Sequence, residues 1–299
     1  FFFGLFGKSL CPHTPALSPV LCPLCEVFIT MATTGTFAIL RHGERLDYIM
    51  REAGTPWTPT AERPFDTPLT ETGREQGRLA GVRIKELLEE KQLPLPTAAF
   101  TSPMLRCAET LSAVLTNFPA VTDMRIEHGL TESCNLDWYR SWALPSSDST
   151  WGGPRGVKEE PTDPRAFTSA TEMLGTPELL NSKETVTTPV SPWTSTQSVS
   201  QYTYANPETR AAQFSRLRAA AESLAVPGAT VVCCSHGGPC THLFEELTGQ
   251  DWTVAGECGF TAISLYKWTR GEGGEFVWEC LAVNDCGHLG GKTIGGIVE

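Results

Sequence analysis

Two short apolar runs in this sequence end in the same way, with a histidine followed by glycine. Phe37–Leu40 leads into Arg41-His42-Gly43, and Thr230–Cys234 leads into Ser235-His236-Gly237. Such runs predict short buried strands. In open α/β sheets ligands bind beyond the carboxyl ends of the strands, and Gly43 allows the backbone to approach a ligand closely. Taken alone, the first run fits equally well a strand followed by a solvated loop in which His42 is inert.

The rest of the chain alternates further predicted strands with predicted helices. Thr72 and Glu75 fit a capping box, and Ser102-Pro103 fits an N-cap followed by the first helical position. A further helix is predicted to begin at Asn206-Pro207. Additional strands are predicted at about 98–101, 122–126, 260–268 and 276–283. This alternation predicts an α/β fold with a mainly parallel sheet, whose strand ends gather on one edge.

Charged side chains follow several of these strands. Arg45 follows the first strand, Glu132 follows the third, and Arg106 lies in the first turn of a helix, where the macrodipole disfavours a cation. A bound anion would compensate for that placement; the alternative is a surface arginine paired with Glu109. Arginines and histidines on one sheet edge indicate phosphoryl chemistry, because guanidinium groups match phosphate oxygens and keep their charge.

The composition narrows the classes of partner and compartment. With 299 residues, the length fits one large α/β domain or two modest ones, and the net charge of −11 argues against nucleic acid or an anionic membrane surface as a partner. The 11 cysteines are scattered without a disulfide framework, which indicates a reducing, cytoplasmic compartment. Cys22 and Cys25 have metal-ligand spacing but lack a second pair, so neither a metal nor another cofactor is predicted. The oligomeric state stays open, a homodimer included.

Two segments are expected to differ from the rest. Residues 1–30 show no sustained periodicity, and Met31 precedes the first convincing strand, so we expect an extension outside the fold: a targeting remnant or an over-extended gene model. Residues 31–299 would then form the domain. Residues 145–202 are rich in Ser, Thr, Pro and Gly, which predicts an irregular insertion and raises the hypothesis of a mobile lid over the site. Trp138, Trp142 and Trp151 near its start would cover a ligand or, as is commoner, anchor a loop.

Three motifs in this order resemble the histidine phosphatase superfamily, which has the phosphoglycerate mutase-like fold. They are Arg41-His42-Gly43, the pattern Ser102-Pro103-x-x-Arg106, and Ser235-His236. The run from Arg41 to Arg45 is also similar to the phosphatase domain of the ubiquitin-associated and SH3 domain-containing proteins. The resemblance covers about residues 36–143 and 202–283 and implies a three-layer α/β/α sandwich.

The resemblance also implies an activity and roles for individual residues. The activity would be hydrolysis of a phosphomonoester, in a small molecule or a phosphoprotein, with His42 as the phosphorylated nucleophile and no cofactor. Glu132 matches the family's proton donor by position, Glu127 is a weaker candidate, and the role of Glu44 stays open. The phosphate pocket would be formed by Arg41, Arg45, Arg106 and His236.

Two alternatives belong to other classes of function. Cofactor-dependent phosphoglycerate mutases share the Arg-His-Gly triplet but usually have Ser and Asn soon after it, where this chain has Glu44 and Arg45. A non-catalytic phosphate-binding module would lack the nucleophile or the acid, whereas candidates for both are present here. The sequence therefore favours hydrolysis.

Overall fold

A computed structural model describes residues 33–290 of the chain. The predicted extension at residues 1–30 and the pair Cys22 and Cys25 lie outside the described residues. Within the described range, a single seven-stranded sheet has the order β4-β3-β2-β5-β1-β6-β7. The strands are β1 (Thr33–Arg41), β2 (Pro96–Thr101), β3 (Met124–Ile126), β4 (Val190–Ser191), β5 (Thr230–Ser235), β6 (Ile263–Arg270) and β7 (Phe276–Asp285).

The sheet is mainly parallel, as the alternation of strands and helices predicts. β1, β5, β2, β3 and β4 pair in parallel, and only β6, which lies between β1 and β7, pairs antiparallel to its neighbours. The helices of the described range are α1 (Leu46–Glu52), α2 (Glu71–Glu90), α3 (Leu105–Leu115), α4 (Leu136–Ala143), α5 (Ala170–Met173), α6 (Pro177–Asn181), α7 (Arg210–Ser223) and α8 (Gly237–Thr248).

The long helices cover both faces of the sheet. Successive side chains of a strand point to opposite faces, so Ala38 and Leu40 of β1 pack in the cluster formed with α2 and α3. Phe37 and Ile39 pack in the cluster formed with α7 and α8. Burial on both faces explains why the central strands are apolar throughout. The fold is therefore a three-layer α/β/α sandwich.

The central pair of strands sets the two histidines side by side. β1 and β5 are adjacent and parallel, and their register pairs Arg41 with Ser235. A histidine directly follows each of these two strands. The backbone N–H of His42 donates to the carbonyl of Ser235 at 3.0 Å. The two predicted strand ends therefore meet at one edge.

Two helices begin at residues other than the predicted ones. The cap of α2 is Thr70, whose hydroxyl accepts a hydrogen bond from the backbone N–H of Gly73, and not Thr72. α7 follows Thr209 and does not start at Asn206. In both cases a second threonine close to the predicted cap satisfies the free N–H groups of the first turn.

The segment 145–202 has only short regular elements, α5, α6, β4 and a 3-10 turn at Pro164–Phe167. β4 pairs in parallel with β3 and adds an edge strand that the sequence pattern does not predict. Ala170, Leu180 and Val190 are fully or almost fully buried, so this segment contributes to the core. None of the helices between residues 33 and 290 combines the length and apolar character that crossing a membrane requires.

Candidate active site

His42 and His236 form the centre of the candidate site. Their rings meet edge to face, with centroids 5.4 Å apart and planes at 66°. Both side chains are buried. The parallel pairing of β1 and β5 thus brings together the two histidines that the sequence motifs single out.

The hydrogen bonding of His42 defines which ring nitrogen carries the proton. Nδ1 lies 2.8 Å from the carbonyl oxygen of Gly43, and because a carbonyl only accepts, Nδ1 holds the hydrogen. Burial lowers the pKa of His42 well below its ordinary value, as do the charges of Arg106, Arg41 and Arg45; the Gly43 carbonyl only partly offsets this. His42 is therefore a neutral imidazole with its lone pair on Nε2.

His236 contacts groups from two other segments. Its Nε2 lies 2.7 Å from the hydroxyl of Ser102, and its Nδ1 lies 3.4 Å from a carboxylate oxygen of Glu132. The thiol of Cys107 lies 3.5 Å from Nε2. Burial lowers the pKa of His236 well below its ordinary value, and the charge of Arg106 adds to the effect. The neutral form of the ring is therefore favoured.

Ser102 has a different role from the predicted one. α3 begins at Leu105 with Met104 at the N-cap position, so the predicted cap at Ser102 is wrong. The carboxylate of Asp66 accepts the hydrogen bond of the Leu105 N–H at 2.7 Å. Asp66 thus supplies the capping interaction, while the Ser102 hydroxyl is engaged by His236.

Arg106 extends from the first turn of α3 into the site. Only 1% of it is exposed, its Nη1 donates to the carbonyl of Phe65 at 3.2 Å, and its Nη2 lies 3.6 Å from Glu132 Oε2. Its buried Nε has no hydrogen-bond partner among the described residues. Arg106 does not pair with Glu109, whose Oε2 accepts from the Leu69 N–H at 2.6 Å. The carboxylate that faces Arg106 is therefore that of Glu132.

Arg41 is held by the loop that precedes β6. Its Nη1 donates to the carbonyl of Cys258 at 2.7 Å, and its guanidinium lies 4.6 Å from the centroid of the Phe260 ring. The His42 ring is tilted against the same phenylalanine, with centroids 6.1 Å apart. Arg41 therefore contributes its charge beside the nucleophile candidate.

Arg45 already has a carboxylate partner. Both Nε and Nη2 donate to Asp47, the first at 3.0 Å, and Nη1 donates to the Tyr48 hydroxyl at 3.2 Å. Burial acts to lower the pKa of Arg45, but Asp47, Tyr48 and Glu132 together outweigh burial and the net shift is upward. Arg45 remains at the edge of a narrow cleft that Arg106 also lines.

The three candidate carboxylates occupy different surroundings. Glu132 Oε1 accepts from the Ser133 N–H at 3.0 Å, while Oε2 faces His236 and Arg106. Glu44 accepts a hydrogen bond from the Thr70 hydroxyl at 2.7 Å, at the start of α2. Of these two, only Glu132 contacts other candidate residues.

Glu127 instead ties the segment 145–202 to the end of β3. Its Oε1 accepts from the Ser195 hydroxyl at 2.6 Å, and its Oε2 accepts from the indole N–H of Trp193 at 3.2 Å and from the Thr196 N–H at 3.3 Å. Gly129 N–H donates to Oε1 at 2.9 Å. These bonds give Glu127 a structural role.

Aromatic residues form the walls of the cleft beside Arg45 and Arg106. Phe65 and Trp142 pack with centroids 5.1 Å apart, and Trp138 lies 5.7 Å from Trp142. Trp138 and Trp142 are buried, whereas Trp151 is 41% exposed. All four rings line the cleft. The buried Trp138 and Trp142 therefore border the site and also anchor the start of segment 145–202 to the core.

Two supporting contacts are not indicated by the sequence motifs. The hydroxyl of Thr110 accepts from the Gly43 N–H at 3.0 Å and donates to the Arg106 carbonyl at 2.7 Å, linking the two motifs. Gly43 packs against α2, since a Cβ atom there would lie 2.3 Å from the carbonyl oxygen of Gly73. Gly43 is thus required for close contact with the backbone of α2.

The chain is similar to a known family, and its described residues contain no cluster of metal ligands. Between residues 33 and 290, no group of three or more His, Cys, Asp or Glu side chains is arranged to hold a metal ion. Residues 37–146 match the histidine phosphatase superfamily (branch 1). The resemblance to this superfamily is confirmed. The matched range contains His42, Arg106 and Glu132.

Part of this chain is also similar to part of a curated protein. Mouse ubiquitin-associated and SH3 domain-containing protein A is 27% identical over 146 residues, which are 40% of this chain and 22% of the relative. The chain therefore spans about a fifth of the length of that protein.

Several solved structures are similar to this fold. The ecdysone phosphate phosphatase of Bombyx mori is 21% identical with a TM-score of 0.48, covering 82% of this chain and 91% of that one. Phosphoglycerate mutase of Bacillus anthracis is 16% identical with a TM-score of 0.49, covering 87% and 96%. A mycobacterial glucosyl-3-phosphoglycerate phosphatase is 17% identical with a TM-score of 0.47, covering 84% and 98%.

Proposed function

We propose that this chain is a phosphomonoester hydrolase that works through a phosphohistidine intermediate on His42. The observation that carries the proposal is the state of His42, a buried neutral imidazole whose Nδ1–H is held by the Gly43 carbonyl at 2.8 Å. That bond leaves the lone pair on Nε2, and a neutral ring nitrogen is the form that attacks phosphorus. The surrounding cations suit a dianionic substrate.

The substrate phosphoryl group would be bound by guanidinium and imidazole donors. Arg106 offers an Nε–H that has no other partner in the described residues, and Arg41 adds charge beside His42. The guanidinium group of Arg45 would donate hydrogen bonds both to the phosphate and to Asp47. His236 would complete the pocket from the end of β5. We propose a phosphorylated small molecule or a phosphoprotein as the substrate.

The first chemical step moves the phosphoryl group to the enzyme. His42 Nε2 forms a bond to phosphorus, the bond between phosphorus and the ester oxygen breaks, and that oxygen takes a proton from Glu132. In the second step water attacks the phosphohistidine, Glu132 takes a proton from the water, and inorganic phosphate leaves with His42 restored. Glu132 Oε2, beside His236 and Arg106, is suitably located for both transfers.

The rate acceleration that each group can supply indicates which residues contribute most to catalysis. Enzymes can accelerate phosphate-monoester hydrolysis by up to on the order of 10²¹, whereas a general acid contributes typically about 10²–10⁴. Glu132 therefore supplies the smaller part of the acceleration. The larger part comes from the arginines around the phosphoryl oxygens and from the alignment of His42 with the leaving group.

A single comparison tests the proposal against its alternatives. Release of inorganic phosphate from phenyl phosphate and isomerisation of 3-phosphoglycerate are measured for the wild-type chain, His42→Ala and the control His128→Ala. We expect phosphate release by the wild type and the control, and a loss of about 10³-fold or more in His42→Ala. Isomerisation without phosphate release would indicate a mutase, and binding of phosphate without either reaction would indicate a binding module.

A further inference from the structure

A buried ion pair lies behind the segment that carries Glu132. Glu208 precedes α7 and Arg216 lies on it, and both are about 95% buried. The pair is bidentate, because Arg216 Nε donates to Glu208 Oε1 at 2.7 Å and Arg216 Nη2 donates to Glu208 Oε2 at 2.7 Å.

Arg216 also binds the backbone on both sides of the candidate acid. Its Nη1 donates to the carbonyl of Gly129 at 2.7 Å and to that of Thr131 at 3.1 Å, and its Nη2 lies 3.4 Å from the carbonyl of Glu132 itself. The guanidinium group thus directs its donors at three carbonyls of one short stretch. Arginine suits this task because its planar group presents five donors in fixed directions.

Glu208 binds the same stretch two residues further on. Its Oε2 accepts from the Cys134 N–H at 3.2 Å, and its own N–H donates to the Cys134 carbonyl at 2.8 Å. A second tie from α7 reaches Ser133, whose hydroxyl accepts from Gln213 Nε2 at 2.5 Å. Glu208 and two side chains of α7 therefore bind every residue of 129–134 except Leu130, four of them through the backbone and Ser133 through its hydroxyl.

These ties matter because the stretch has no regular structure of its own. Residues 131–134 belong to neither a helix nor a strand, so no ladder of backbone hydrogen bonds orients the Glu132 side chain. A displacement of about 1 Å at a reacting group can cost about 10²-fold in rate. A buried ion pair is weak evidence for stability, since apolar pairs of similar volume often stabilise as well. The contacts instead point to control of geometry.

We propose that Arg216, held by Glu208, is a positioning residue that sets the geometry of the proton donor Glu132. This inference rests on the proposed hydrolase function. Arg216 touches neither His42 nor the other residues of the phosphate pocket through any of its hydrogen bonds, so its effect would pass through the backbone of Glu132 alone. Its removal should therefore weaken proton donation and spare the rest of the reaction.

The test uses Arg216→Lys and two aryl phosphates that differ in the need for an acid. Lysine keeps the charge beside Glu208, but one ammonium group cannot reach Glu208 and three carbonyls together. The leaving group of phenyl phosphate needs a proton, whereas that of 2,4-dinitrophenyl phosphate departs as a stable anion. kcat/KM is the quantity to compare, because it reports the steps up to phosphohistidine formation and excludes the later attack of water.

We expect kcat/KM for phenyl phosphate to fall by about tenfold or more in Arg216→Lys, and that for 2,4-dinitrophenyl phosphate to stay within about twofold. Arg218→Lys is the matched control, because Arg218 lies on the same helix but is 40% exposed and pairs with Glu222 and Glu246. It should leave both values unchanged. Equal losses on both substrates, or no loss in folded Arg216→Lys, would overturn the inference.

A second variant covers a failure of Arg216→Lys to fold. Glu208→Leu combined with Arg216→Met removes both charges, so that no unpaired charge is left buried. The same selective loss on phenyl phosphate is expected. If neither variant folds, the pair is required for the fold itself and the positioning role is rejected. Absence of hydrolysis by the wild-type chain would instead reject the proposed function, so the two failures are distinguishable.

Discussion

Nδ1 of His236 lies 3.4 Å from Oε2 of Glu132, although the two residues follow different strands of the sheet. His236 follows β5, and Glu132 follows the 3-10 turn after β3. Of the three carboxylates that the sequence offers as the proton donor, Glu132 alone has this contact. Glu127 and Glu44 are occupied by Trp193, Ser195 and Thr196 and by Thr70, respectively.

Glu132→Gln should impair only substrates whose leaving group needs a proton. The amide keeps the volume of the side chain but cannot act as the acid, so kcat/KM for phenyl phosphate should fall by about 10²-fold or more. kcat/KM for 2,4-dinitrophenyl phosphate should change little. Glu127→Gln serves as the matched variant, and a selective loss there in place of Glu132→Gln would assign the acid to Glu127.

Arg106→Lys should weaken phosphate binding more than Arg45→Lys does. The Arg106 Nε has no partner in the described range, whereas the Arg45 fork is already engaged by Asp47. Loss of one or two charge-assisted hydrogen bonds should weaken the affinity for phosphate by about 10- to 100-fold. The inhibition constant of inorganic phosphate in each variant measures this, and a larger effect at Arg45 would contradict the prediction.

Gly43→Ala should destabilise the fold. The new Cβ would lie 2.3 Å from the Gly73 carbonyl oxygen, and backbone cannot move aside as a flexible side chain can. We expect the free energy of unfolding to fall by about 1–3 kcal/mol, measured by urea denaturation. Gly271→Ala is the control, because its Cβ would meet only the mobile carboxylate of Glu275. An unchanged unfolding midpoint in Gly43→Ala would disprove the contact.

Acidification should destabilise the chain, and His242 should account for part of the loss. Burial lowers the pKa of His242 to about 4, and the charges of Arg210 and Arg216 add to this. Because the folded-state pKa lies below the unfolded value of about 6.5, the unfolded state binds more protons below pH 6.5 and stability falls there. Its share between pH 7.5 and pH 5.5 is about 1 kcal/mol. Urea denaturation at both pH values should show that the free energy of unfolding falls less on acidification in His242→Gln than in the wild type. An equal fall in the two proteins would refute the contribution of His242.

The fold is largely predictable because its central strands are apolar on both faces. β1, β2 and β5 match the predicted runs, and the alternation with helices predicts their parallel pairing. β4 has only two residues, and the only buried residue of the seven in α1 is Asp47, so neither element buries an extended apolar face. Their positions depend on tertiary contacts that the local sequence does not encode.

The position of a site residue can be predicted where it directly follows a strand. It is harder to predict where a side chain has several possible hydrogen-bond partners. His42 and His236 are found from strand ends alone. Ser102 looks like a helix cap, but its hydroxyl contacts His236 at 2.7 Å while Asp66 caps α3. No sequence motif predicts the pairing of Arg216 with Glu208. The role that we propose for this pair depends on the backbone of residues 129–134, which approaches α7 only in the folded chain.

The central claim is that His42 carries the phosphoryl group between the two half-reactions. The most direct measurement is an acid- or base-quench of the wild-type chain during turnover of a radiolabelled phosphomonoester, followed by peptide mapping. Phosphohistidine is stable to base and labile to acid, which separates it from a phosphoserine. We expect base-stable label on the peptide containing His42 in the wild type, and none in His42→Ala. Label on another residue, or hydrolysis of substrate by His42→Ala at the wild-type rate, would contradict it.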